Sequence, residues 1–133
     1  MIVRGGYALL EKIEEHADFS LIRACREQDG VPVLLKVLRA ERAARAEVAR
    51  FRHQCERIAQ LASPRLVALR GVEEHAGALI VILEDFPGRA LARILAARPS
   101  RTMPVSEALE LAAALAEGLA AVHAAGLIHR DLR

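Results

Sequence analysis

Two charged residues of this 133-residue chain sit where their chemistry could matter. Lys36 is a lone cation in the apolar run "VPVLLKVLR" (31–39). An ammonium withdrawn from water without a counter-charge is costly, so a buried Lys36 implies an anion close to it. Asp131 lies in "LIHRDLR" (127–133), directly after His129 and Arg130. A carboxylate there can accept a proton from a hydroxyl; taken alone it is also an ordinary turn aspartate. His129 reads as a packed ring whose nitrogens meet backbone groups.

The rest of the chain must position these groups. Residues 7–14 and 19–26 read as strands, with Asp29-Gly30 as a tight hairpin before a third strand at 31–39. Pro32 suits the entrance of that strand rather than its centre. From Ala40 the period changes: Val48, Phe51, Cys55, Ile58 and Ala62 recur at three and four, a helical stripe closed by Ser63-Pro64. "RLVALRGVEE" and "ALIVILEDF" read as two further strands joined at His75-Ala76-Gly77. "PGRALARILAARPS" gives a loop and a short helix. Ser106 is placed as the N-cap of a long helix over about 107–125, with Gly126 past its end. Its expected core face is Leu109, Ala112, Leu115, Ala116, Leu119 and Val122. The plan is α+β: a five-stranded antiparallel sheet carrying one helix, followed by a helical region.

Composition narrows the function classes. Hydrophobic residues make up 53% and charged residues 27%, which excludes disorder by composition; aromatics at 3% make the core aliphatic. Nineteen basic and seventeen acidic residues give a net charge of +2, without the clustered basic face of a nucleic-acid binder. The basic stretch 39–57 is interleaved with Glu41, Glu47 and Glu56 and reads as a solvated helix face. Cys25 and Cys55 read as reduced thiols, and the five histidines lack metal-ligand spacing. The Ala-rich stretch 109–128 is interrupted by Glu110, Glu117 and His123, so a soluble helix is expected rather than a membrane span. No signal peptide is read at the N-terminus, and a cytoplasmic location is the default.

With these features in order, the chain resembles the eukaryotic-type Ser/Thr protein kinase family from about Tyr7 to Arg133. "VLLK" matches the family's third-strand lysine motif, "SPRLVALRGV" the segment after the first helix, and "LIVILEDFPG" the fifth strand and hinge. "GLAAVHAAGLIHRDL" matches the end of the large helix and the catalytic loop. A looser similarity, carried by "GGYALLEKI", "LIRACREQDGVPVLLKVLR" and "ARFRHQCERI", is to the N-terminal kinase-like domain of large bacterial signalling proteins. The resemblance implies a small lobe over residues 1–83, a hinge over 84–88 and the start of a large lobe over 89–133. It implies ATP with Mg²⁺ as the nucleotide, and Lys36 and Asp131 as catalytic groups. Phosphoryl transfer needs charge neutralised and atoms aligned more than it needs covalent help. Asp131 would be the base, Lys36 would meet the phosphates, and Arg130 would anchor a phosphorylated loop. Leu83 would be the gatekeeper, and Leu21 and Leu35 are candidates for packing on adenine, with plain core the equal alternative for either. Main-chain groups of Glu84 and Phe86 would bind its edge.

The family pattern also breaks. The Gly-rich loop aligns with Glu14, His16 and Phe19 at its three glycine positions, which should weaken phosphate cradling. The helix glutamate that pairs with the lysine falls on Gln54, which cannot neutralise an ammonium. The family's metal-binding Asn and Asp-Phe-Gly are not among the 133 residues, and Arg133 stands where a lysine is usual. No metal-holding residue is therefore assigned. The expected function is a Ser/Thr-protein-kinase portion, inactive as a shortened chain. The alternative is a kinase-like regulatory or interaction module, a pseudokinase. Its partner would be a protein substrate or signalling protein, with self-association through a partly bare helix 107–125.

Overall fold

Short apolar runs bounded by turn residues build the sheet. The computed structural model describes residues 3–39 and 44–130. Five strands correspond to the expected ones, with the fourth of them starting later than expected: β2 (Tyr7–Glu15), β3 (Phe19–Arg26), β4 (Pro32–Arg39), β5 (Leu69–His75) and β6 (Ala78–Glu84). A two-residue strand, β1 (Val3–Arg4), extends the sheet beside β2. The helices are α1 (Arg45–Ala59), α2 (Leu91–Ala96) and α3 (Val105–Ala124). All pairings are antiparallel and the strand order is β1-β2-β3-β4-β6-β5.

The hairpins follow their turn chemistry. Between β3 and β4, Asp29 receives the Arg26 guanidinium on both oxygens (2.9 and 2.6 Å) and the Val31 N–H (3.2 Å). That pairing holds the Asp29 carboxyl below the usual carboxylate range. Between β5 and β6, Ala76 and Gly77 both take positive φ (50° and 77°), the twist that two-residue hairpins prefer.

The residues divide into two compact units. The first holds the sheet and α1: residues up to Ala62 together with Val67–Asp85. Its core is aliphatic, as composition requires: Ala24, Val33, Leu35, Val37, Ile80 and Ile82 gather around Tyr7, with Leu35 and Ile80 at 0% exposure. Tyr7 on β2 donates its hydroxyl to Glu73 on β5 at 3.1 Å, although four strand positions separate β2 from β5 in the sheet. The sheet therefore coils until strands near its two ends meet, enclosing one face. Burial, with Glu73 beside it, raises the Tyr7 phenol above its ordinary value.

The second unit comprises Ser63–Leu66 and the residues from Phe86 onward. The segment expected to open a strand at Arg65 instead turns: Ser63 takes the Arg65 N–H on its hydroxyl (3.2 Å) and the Leu66 N–H on its carbonyl (3.1 Å). Strand β5 begins only at Leu69. Helix α3 lies against this turn. A Cβ on Gly118 would meet the Arg65 carbonyl oxygen at 3.3 Å and Leu66 Cδ2 at 3.5 Å, so the missing side chain lets helix and turn approach. Arg65 Nε reaches Glu117 at 2.5 Å.

Three helix expectations need correction. Helix α1 stops at Ala59, before Ser63-Pro64, and only Cys55 of its stripe is buried; Val48 and Phe51 are half-buried and Ile58 is exposed. Ser106 does not cap α3: Pro104 holds the cap position, Ala108 N–H bonds its carbonyl at 3.0 Å, and Ser106 lies within the first turn. Glu107 of that turn takes both guanidinium nitrogens of Arg98, which lowers its carboxyl from the ordinary value. The inward face of α3 is also shifted. Leu111, Ala114, Gly118, Leu119 and Val122 face inward, whereas Leu109 (65%) and Leu115 (47%) are exposed and Ala112 and Ala116 face solvent. Gly118, the buried residue of the helix, is the point on that face that meets the 63–66 turn.

Candidate functional site

Strand register decides which side chains share Lys36's face. In an antiparallel ladder, directly opposed residues project to the same side, and successive residues along a strand to opposite sides. Lys36 is paired with Leu21 on β3 and with Val81 on β6. Leu34 is paired with Arg23 and with Leu83. Phe19, Leu21, Leu34, Lys36, Val81 and Leu83 therefore line one face. Leu35, expected on the ligand side, belongs to the opposite one. It pairs with Ile22 and Ile82 and is completely buried in the enclosed core. The β4 leucines on the Lys36 face are Leu34 and Leu38, and Leu34 is the one between Lys36 and the end of β6. Alternation counted from Lys36 was the signal that could have found it.

Lys36 is half-buried, and among the described residues its counterpart is an aromatic ring rather than an anion. Its Nζ lies 4.3 Å from the centroid of the Phe19 ring. A cation over an aromatic face is attracted by the ring quadrupole. Sequence reasoning placed Phe19 at a missing glycine but missed this contact, because it joins residues on two strands.

The helix adds no carboxylate to the lysine among the described residues. Gln54 is exposed. Glu47 accepts the Ala44 N–H at 3.0 Å and closes the first turn of α1. The α1 residue that is buried is Cys55: burial pushes its thiol up, Glu56 adds to that, and Lys36 pulls the other way.

At the end of β6 the chain is pinned twice. Glu84 donates its N–H to the Ala68 carbonyl (2.9 Å) and accepts the Ala68 N–H on its carboxylate (2.8 Å). Asp85 takes Arg23 Nε on both oxygens at 3.2 Å, while Arg23 Nη1 reaches Glu11 at 2.8 Å. The Asp85 pairing, with Glu11 adding to it, raises the Arg23 guanidinium further.

Phe86, His129 and Arg130 belong to the helical unit. Phe86 is exposed, and its ring lies over Gly88, leaving no room for a Cβ there. His129 helps line a cleft of about 230 Å³ with Leu66, Leu111, Leu115, Leu119 and Val122. Arg130 is exposed with φ of 64°. Asp131 and Arg133 lie outside the described residues.

Comparison with known proteins joins these pieces. The chain is 29% identical over 136 residues to a probable serine/threonine-protein kinase, pknA2, of Bifidobacterium longum, covering 99% of this chain and 18% of that protein. It is 36% identical over 107 residues to the serine/threonine-protein kinase PkaA of Streptomyces coelicolor, covering 80% of this chain and 19% of that protein. The PknI kinase domain of Mycobacterium tuberculosis superposes with a TM-score of 0.84 at 26% identity, covering 99% of this chain and 54% of that one. The chain thus spans about a fifth of these two relatives and about half of the solved kinase domain. Residues 13–133 match the family of protein tyrosine and serine/threonine kinases, and with the ordered strands, the β4 lysine and the His129-Arg130-Asp131 run in place, the chain belongs to that family.

Proposed function

We propose that the chain is the nucleotide-facing portion of a Ser/Thr protein kinase domain in a signalling protein, with residues 1–83 as small lobe, 84–88 as hinge and 89–133 as the start of the large lobe. The observation that carries this is the single sheet face presenting Lys36 beside Leu21, Leu34 and Leu83. That face supports recognition of the nucleoside end of ATP by apolar contact. The polyphosphate end fits less well. No glycine stands in the β2–β3 turn, Lys36 faces an aromatic ring, and Gln54 is turned to solvent. Family membership implies ATP and Mg²⁺, but no phosphoryl step is derived from this arrangement. In this reading Asp131 receives the substrate hydroxyl's proton, protein hydroxyls are the substrate class, and the site is cytoplasmic. No described helix is long and apolar enough to cross a membrane.

The test is transfer of label from ATP to a generic Ser/Thr substrate by the full-length protein, with Lys36→Met and Asp131→Asn as controls. Slow transfer, abolished by either substitution, is expected. Absence of transfer would reject the phosphotransferase reading and leave the second: a kinase-like regulatory module. The exposed Gln54 and the Phe19 contact favour that second reading. Self-association through the exposed leucines of α3 belongs to both.

A further inference from the structure

The turn between β2 and β3 is short and internally tied. His16 donates its N–H to the Phe19 carbonyl at 2.8 Å. The His16 ring lies 4.4 Å from the Phe19 ring, tilted by 31°, and its Nε2 is 3.1 Å from Glu14 Oε2. Lys36 Nζ completes the run, 4.3 Å from the other ring's centroid. Glu14, His16, Phe19 and Lys36 thus form one continuous chain of contacts from the turn to the lysine.

Two consequences follow. The ring gives the ammonium an electrostatic partner without any anion, which accounts for a half-buried lysine with no carboxylate partner among the described residues. The same ring holds the ammonium that a phosphate oxygen would need, and the Glu14 carboxylate, two contacts away, adds negative charge to the turn. The apolar residues Leu21, Leu34 and Leu83 are not engaged by this chain of contacts.

We propose that Phe19 sets the ligand specificity of the Lys36 face: it satisfies the lysine internally, so the site takes an adenine nucleoside and gains little from a polyphosphate. This rests on the reading above that the face binds adenine nucleotides at all. A cation–π contact of this kind corresponds to a factor of about ten in affinity.

The experiment compares Kd for adenosine and for ATP, with and without Mg²⁺, in the full-length protein and its Phe19→Gly and Phe19→Leu variants. Phe19→Leu retains strand-compatible apolar bulk but lacks the ring, so it stands in if the glycine variant does not fold. The expected result is near-equal affinity for the two ligands in the wild type. ATP is expected to bind about tenfold tighter in either variant, with adenosine unchanged and the gain abolished by adding Lys36→Met. The Lys36 side-chain protons should also show ring-current shifts that vanish in Phe19→Leu. A wild type that already prefers ATP strongly, or variants that leave the ratio unchanged while adenosine still binds, would overturn the Phe19 assignment alone. Failure of every variant to bind either ligand would remove the nucleotide reading and this inference together.

Discussion

The sheet unit and the helical unit bury their residues by different means. The sheet coils on itself, so one strand face is closed by other strands of the same unit, and Leu35 and Ile80 reach complete burial. Among the described residues of the helical unit short pieces lie against α3, and the one buried residue of that helix is Gly118. Its contact with the 63–66 turn combines backbone approach at Gly118, the Leu66 side chain and an Arg65–Glu117 pair. A self-closing sheet provides its own core; a helix touching a turn along one stripe leaves leucines such as Leu109 in water. Cohesion in the second unit therefore depends on a few close contacts.

The comparison can be broken most sharply at the enclosed face. Leu35→Ala removes a fully buried side chain and should destabilise the sheet unit by about 2–5 kcal/mol, read as a fall in the urea midpoint at constant slope. A loss below 1 kcal/mol would mean that the coil does not close as described. A smaller effect is expected in the helical unit. Gly118→Val inserts bulk against the Arg65 carbonyl and should cost about 1–3 kcal/mol, with faster amide exchange confined to residues 63–66 and 114–122. If exchange quickens throughout the sheet instead, the two units are not separately held. The smallest effect belongs to the exposed leucine. Leu109→Gln should leave stability within about 0.5 kcal/mol while reducing any self-association seen by sedimentation. An unchanged association constant would move the contact elsewhere on the chain.

Strand places and the family resemblance were legible because they rest on local pattern: alternation, turn residues and ordered motifs. The helix boundaries were less so. Ser106 has the chemistry of a cap, yet Pro104 took the position, since a proline already fixes φ and lacks an N–H to satisfy. Leu35 was misplaced because Leu34 and Leu35 are adjacent leucines on β4, and residue type alone does not say which faces inward. Register with β3 and β6 decided it.

By itself, the sequence determined the order of elements, the aliphatic core, the isolated lysine on an apolar strand and the absence of glycine from the β2–β3 turn, because each is a property of neighbouring residues. Only the tertiary structure decided what meets what. Tyr7 reaches Glu73 because the sheet coils, and Gly118 admits the 63–66 turn because helix and turn must approach closely. Lys36 faces Phe19 because β3 and β4 pair in a register that places both on one side. Those contacts join residues distant along the chain, and their partners are set by pairing geometry rather than by residue type.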